Sequence, residues 1–128
     1  MSQRVIHFEI HADNPDRAVI FYEQLFGWKF HKWDGPIPYW LISTGDGPGI
    51  DGGLMPRRGS PPLDGAALNS FASVINVANL DDLIVRIPAA GGEIVVPKSP
   101  VPGVGYLAYA KDTERNIFGM MQSDQSAR

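Results

Sequence analysis

Cysteine is absent from all 128 residues. That removes disulfides, thiolate nucleophiles and cysteine-ligated metals together, and the expectation is a chain suited to a reducing, cytoplasmic compartment. Long apolar runs are absent too. Nothing approaches the roughly 20 residues of a membrane span, and the first residues carry no signal-peptide apolar core, so no membrane partner is expected. A charge excess of one sign is also missing. Eleven Lys and Arg stand against 14 Asp and Glu, for a net charge of −3. The basic residues are scattered, so there is no electrostatic footprint for nucleic acid. The glycine-rich stretch Gly47-Pro48-Gly49-Ile50-Asp51-Gly52-Gly53 lacks the lysine of a phosphate loop and reads as a turn into a strand. Neither a nucleophile elbow nor a heptad pattern is visible.

Turn residues are plentiful: 14 Gly and 11 Pro punctuate a chain that is 44% hydrophobic and 20% charged. The length predicts one domain, able to bury a core without staples and dominated by short strands.

The chain contains itself twice, offset by about 65 residues. Ile6-His7-Phe8-Glu9-Ile10-His11 leads into Ala12-Asp13-Asn14-Pro15-Asp16-Arg17-Ala18, as Phe71-Ala72-Ser73-Val74-Ile75-Asn76 leads into Val77-Ala78-Asn79-Leu80-Asp81-Asp82-Leu83. Gly27 meets Gly92 at that offset. One residue further on, Leu41 meets Leu107, Asp46 meets Asp112, and Gly53-Leu54-Met55 meets Gly119-Met120-Met121. A period of this length is a supersecondary unit, and two copies suggest pseudo-twofold pairing around a shared cleft.

Each copy reads as βαβββ. Val5 to His11 alternates, with Ile6, Phe8 and Ile10 on one face and His7, Glu9 and His11 on the other. Asp13 or Asn14 can cap a helix that opens on Pro15 and Asp16, carries Ala18, Phe21, Tyr22 and Leu25 as an apolar stripe, and stops at Gly27. Strands follow over Trp28 to Trp33, Tyr39 to Thr44 and Ile50 to Met55. Residues 57–69 read as a Gly/Pro-rich linker between modules at about 4–56 and 70–123. The second module predicts a strand over Phe71 to Val77, a helix from Leu80 to about Ala90, and strands near Glu93 to Val96, Gly105 to Ala110 and Ile117 to Gln122. Pro88 is expected to kink that helix or stop it early. The small, polar last residues are expected to fray.

This paired pattern resembles the vicinal oxygen chelate superfamily, the group of glyoxalase I, bleomycin-resistance proteins, fosfomycin-resistance enzymes and extradiol dioxygenases. The run Asp13-Asn14-Pro15-Asp16-Arg17-Ala18 leading to Phe21-Tyr22 and Leu25-Phe26-Gly27-Trp28 is similar to the superfamily's first helix. Asp112-Thr113-Glu114-Arg115-Asn116 resembles its turn before the last strand, with Thr113 and Arg115 departing from the pattern. The resemblance covers nearly the whole chain and implies an α+β fold: tandem βαβββ modules, eight mixed strands curling around a cleft, and two helices packed outside. It does not name a reaction, because the superfamily spans isomerisation, epimerisation, ring cleavage, thiol addition and sequestration.

Enzymes of that superfamily hold a metal through one ligand from the first and one from the last strand of each module. By resemblance those positions fall on His7, Ala72, Gly53 and Gly119, and three of them carry no donor side chain. A divalent ion needs several N or O donors at about 2.0–2.6 Å. A shift of a residue or two could recruit Asp51. The expectation is no cofactor, with a divalent metal disfavoured.

His7, Glu9 and His11 share a strand face. Neighbours on that face lie about 6.5–7 Å apart and the outer two about 13 Å, too far for His7 and His11 to share an ion. His11 is expected to be a solvated strand end. Glu9 is costly to bury unless paired or wet, and a cleft containing His7 would relieve that cost. The pair can transfer protons or orient a ligand, His7 titrating near neutrality, or Glu9 can be structural. Parity adds Gly53, Met55, Ala72, Val74, Gly119 and Met121 to the expected cleft, the glycines opening space and the methionines giving an adaptable apolar lining or plain core. Trp28, Trp33, Trp40 and Tyr106 are expected to pack strands, Gln122 to face away from the cleft, and Arg57 and Arg58 to be solvated linker charges.

Two function classes follow. One is a metal-free protein that binds a small organic ligand, similar in mode to bleomycin-resistance proteins. The other is a glyoxalase-like lyase or isomerase, or a dioxygenase-type enzyme, using His7 and Glu9 with or without a divalent metal. An assembly or regulatory role for a degenerate module is a third. A homodimer is expected, since pairing completes strand edges.

Overall fold

The computed structural model describes residues 3–63, 70–113 and 116–128. Part of the expected linker, 64–69, and Glu114 and Arg115 of the expected turn lie outside the described residues. The architecture is α+β, two βαβββ modules in sequence. The chain divides into two compact units, His7–Phe71 and Met1–Ile6 with Ala72–Arg128.

In the first unit β1 (Val5–Ala12, from His7 on), β2 (Lys29–Lys32), β3 (Trp40–Ser43) and β4 (Asp51–Pro56) build a sheet ordered β2-β3-β4-β1, with α1 (Pro15–Phe26) following β1. The last strand lies parallel to the first, a pairing that needs the long α1–β2–β3 crossover. Asn14 caps α1, its Oδ1 accepting from Arg17 N–H at 3.1 Å, and Gly27 ends it at φ 70°, where a side chain would strain the backbone. As the alternation requires, Phe8, Ile10 and Ala12 face the helix, packing with Ala18, Tyr22, Trp28, Phe30, Trp40, Ile42 and Leu54. Tyr22 stacks on Trp28 at 5.4 Å and 9°. His7, Glu9 and His11 are thereby sent to the opposite face.

In the second unit β5 (Ala72–Asn76), α2 (Leu80–Ala89), β6 (Glu93–Val101), β7 (Gly105–Lys111) and β8 (Ile117–Ser123) are ordered β5-β8-β7-β6. The core joins Val77, Leu80, Ala108, Ala110 and Met120 to Leu83, Ile84 and Ile87 of the helix. Gln122 faces the helix side, as parity predicts, and its Oε1 accepts from Leu80 N–H at 2.8 Å. Asp112 and Asn116 close the turn before β8, Asp112 Oδ1 accepting from Asn116 N–H at 2.9 Å.

Three expectations change. Pro88 does not shorten α2, because it falls in the last turn and the helix ends one residue later. Strand β6 continues past Val96 through Pro97 and Pro100, which an edge strand tolerates because it leaves one row of N–H groups unpaired. The chain end is tied down: Asp124 accepts from the N–H and hydroxyl of Ser126, Gly103 N–H donates to the Ala127 carbonyl at 3.0 Å, and Ala127 is buried.

Candidate functional site

The parallel pairing of β1 and β4 sets His7 opposite Asp51, Glu9 opposite Gly53 and His11 opposite Met55. Strand β3 adds Leu41 opposite Gly53. Tyr39 stands two residues before Leu41, so it reaches the same face from the end of β3. Its phenol oxygen lies 2.8 Å from His7 Nε2 and donates to Glu9 Oε2 at 3.2 Å. A Cβ built on Gly53 would fall inside the Tyr39 phenol. Trp33 meets the Tyr39 ring edge to face at 6.2 Å, and its N–H donates to the Tyr39 carbonyl at 2.8 Å. The Gly35–Pro38 turn returns the chain so that these two aromatics face each other.

Glu9 is 4% exposed, and His7 and Tyr39 are half-buried. Burial lowers the pKa of His7 below its ordinary value, against the opposing pull of the Glu9 and Asp51 carboxylates. Burial, with the Glu9 charge and hydrogen bond, pushes the Tyr39 phenol well above its usual range, so it keeps its proton. The group is therefore a neutral imidazole, a protonated phenol and a carboxyl group joined in a chain of hydrogen bonds.

His11 is not a solvated strand end. Its Nε2 is buried with no hydrogen-bond partner, and burial lowers its pKa, helped by Arg57 and Arg58 and opposed by Glu9. Strand pairing explains it: Met55 lies opposite, and Arg57 folds back, its Nε donating to Asp13 Oδ1 at 2.7 Å and its N–H to the Ala12 carbonyl. Arg57 is thus paired with the start of α1 rather than solvated in the linker. Asp51 turns to Thr44, accepting from its N–H at 2.9 Å and its hydroxyl at 3.2 Å.

The structure brings His7, Glu9 and Gly53 together and places Met55 further along the same face, beside His11. Ala72, Val74, Gly119 and Met121 share one face of the second unit's sheet, with Val74 opposite Gly119 and Asn76 opposite Met121. The expectation that the two glycines open space is corrected. A Cβ at Gly119 would meet Tyr109 Cε2 at 3.1 Å and Val74 Cγ2 at 3.3 Å, so in each module a tyrosine fills that place. The modules differ in chemistry, since Ala72 and Val74 stand where the first module has His7 and Glu9. Trp28, Trp40 and Tyr106 pack the helix-side cores as expected, whereas Trp33 lies on the face of the site.

Tyr39 is the residue that sequence reasoning missed. The repeat gives it no counterpart, because the offset that pairs Leu41 with Leu107 sets Tyr39 against Gly105. Its parity with Leu41 was the available signal, and it acquires meaning only once β3 is paired with β4.

The superfamily's metal does not fit the first module. Of its two ligand positions there, Gly53 has no donor and His7 turns its Nε2 to the Tyr39 phenol, which occupies the intervening space. A protonated phenol is a poor ligand for a divalent ion. Among the described residues no group of three His, Cys, Asp or Glu side chains is placed to hold an ion.

A family model described as Glyoxalase/Bleomycin resistance protein/Dioxygenase superfamily matches residues 4–120. The chain is 28% identical over 116 residues to a protein of Mycobacterium tuberculosis (strain CDC 1551 / Oshkosh) provisionally named glyoxylase CFP32, covering 89% of this chain and 42% of that protein. A protein of the same name in Mycobacterium bovis gives the same figures. The chain therefore spans less than half the length of these curated relatives. Among solved structures it is similar to methylmalonyl-CoA epimerase from Mycobacterium tuberculosis, with a TM-score of 0.65 and 16% identity over 94% of this chain and 87% of that one. A hypothetical protein from Bacillus halodurans C-125 gives a TM-score of 0.67 and 12% identity over 98% and 97%. At such identities the likeness is one of fold.

Proposed function

The chain belongs to the Glyoxalase/Bleomycin resistance protein/Dioxygenase superfamily, and from that premise we propose that it binds a small organic molecule, without a metal ion, on the His7–Glu9 face of its first module. The observation that carries this reading is the Tyr39 phenol, seated on Gly53 and hydrogen-bonded to His7 and Glu9. It replaces metal donors with a polar anchor, and Trp33, Leu41 and Met55 on the same face offer apolar contact. Gly53 and Met55 remain our proposed lining residues on that face, and Ala72, Val74, Gly119 and Met121 those of the equivalent face of the second module. A thermal-shift screen of small organic molecules, run with and without EDTA, tests the reading. We expect a stabilising ligand whose effect survives EDTA; stabilisation that appears only with added divalent ion would overturn it.

A second reading, a glyoxalase-like lyase or isomerase using His7 and Glu9, is favoured by one observation. His7 is kept neutral and chained to a carboxyl group, the arrangement of a general base. Turnover of the hemithioacetal of a 2-oxoaldehyde that is lost in His7→Gln would support it over binding alone.

With either reading we propose a cytoplasmic homodimer. Support comes from Ile20, Phe21, Leu25 and Phe26 of α1, all exposed, and from the greater length of the mycobacterial relatives. Among the described residues no helix is long and apolar enough to cross a membrane.

A further inference from the structure

The hydrogen-bond chain of His7, Tyr39 and Glu9 has a direction. The Tyr39 phenol donates to Glu9 Oε2, so its single proton is committed there. The phenol oxygen must then accept from His7, whose Nε2 at 2.8 Å carries a proton. A neutral imidazole with its proton on Nε2 has a lone pair on Nδ1. His11 Nε2 is the buried, unpartnered side-chain atom among the described residues; His7 Nδ1 is not of that kind, and its one side-chain hydrogen bond is the bond to Tyr39 through the other nitrogen. His7 is only half-buried, and Nδ1 is the ring nitrogen that Tyr39 does not engage.

We infer that Tyr39 is a positioning residue that locks His7 in the Nε2–H tautomer, so that the site takes its ligand through a hydroxyl or amine N–H donated to Nδ1 rather than through a carboxylate. The inference rests on the proposed ligand-binding face and names the chemistry that face selects. A carboxylate arriving at Nδ1 would set lone pair against lone pair, with Glu9 and Asp51 close to the same imidazole. A hydroxyl or amine meets an acceptor instead. Tyr39 makes the lock because its phenol bridges the two residues, and Gly53 leaves the phenol room to lie there.

The test is nitrogen-15 NMR of the intact, uniformly labelled chain, in which long-range proton–nitrogen correlations distinguish the two histidine tautomers. His7 should show a protonated Nε2 and an unprotonated Nδ1 before any ligand is added. Glu9→Gln, which keeps an acceptor oxygen for the phenol, should preserve that tautomer; Tyr39→Phe should release it to a mixture. Phenol and benzoate then serve as matched probes, one offering a donor and the other a carboxylate. Phenol should shift His7 Nδ1 and benzoate should not, and Tyr39→Phe should weaken phenol binding roughly two- to tenfold, the range of one hydrogen bond. A proton found on Nδ1 of the unmodified chain would overturn the inference without touching the case for ligand binding. So would an unchanged tautomer in Tyr39→Phe, a preference for benzoate, or no response of His7 to either probe. The unmodified chain decides the tautomer by itself, so a misfolded variant leaves the test intact.

Discussion

The phenol of Tyr39 occupies the space that any side chain at Gly53 would need. Each residue therefore constrains the other: the glycine is required because the phenol is there, and the phenol comes up against β4 because the glycine leaves it room. Gly53→Ala should push Tyr39 off its partners and destabilise the chain by about 1–3 kcal/mol, the usual cost of overpacking. The same substitution made in Tyr39→Ala should cost much less. Urea denaturation of the four proteins measures the coupling, and a coupling energy below about 0.5 kcal/mol would mean that the two residues do not depend on each other.

Tyr39→Phe keeps the ring on Gly53 and removes only the hydroxyl between His7 and Glu9. We expect the protein to fold and to lose about 1–2 kcal/mol, the contribution of a bridging hydroxyl in a half-buried site. Unchanged denaturant midpoints would show that the phenol's hydrogen bonds add nothing net.

Stability should fall as the solution is made mildly acidic. His7 and His11 both have pKa values lowered by burial from 6.5. The unfolded chain takes up those protons near pH 6.5, while the folded chain takes them up only at lower pH. Between the two values the unfolded state binds more protons, so acid favours unfolding. The contribution is complete above about pH 6.5 and is lost as pH drops through the folded values. Melting temperatures taken from about pH 8 to pH 5 should begin to decline near 6.5, and His7→Gln and His11→Gln should each flatten the slope. A flat profile across that range would contradict the lowered values.

Protein purified without added metal should carry no stoichiometric divalent ion bound through His7, because Tyr39 and Gly53 leave the imidazole without companion donors. Elemental analysis of untagged protein, with His7→Gln as the control, checks this. About one zinc, nickel, iron or manganese per chain, lost in the control, would contradict it.

Light scattering at tens of micromolar should give a mass near twice the 14.0 kDa chain. Replacing exposed Phe21 and Leu25 on α1 with Glu should shift that mass toward the monomer if α1 carries the contact. A monomer in the unmodified protein would set the homodimer aside.

Local rules account for what the sequence made legible. The βαβββ repeat, the Asn14 cap, the Gly27 stop and the assignment of His7 and Glu9 to the face away from α1 all depend on residues a few positions apart, and alternation or helical spacing writes them directly into the chain. The family resemblance rested on the same short-range signals. Pairing decided the rest. Tyr39 meets His7 and Glu9 across 30 or more positions, and only because β3 lies antiparallel to β4 while β4 lies parallel to β1 in one register. His11 lost its solvent and Ala127 its freedom for the same reason, through backbone and side-chain partners far off in sequence. The alternation of strand faces and the turns between strands were readable from composition and spacing; the phenol between His7 and Gly53 was not, since register is a property of two strands together and neither strand states it alone.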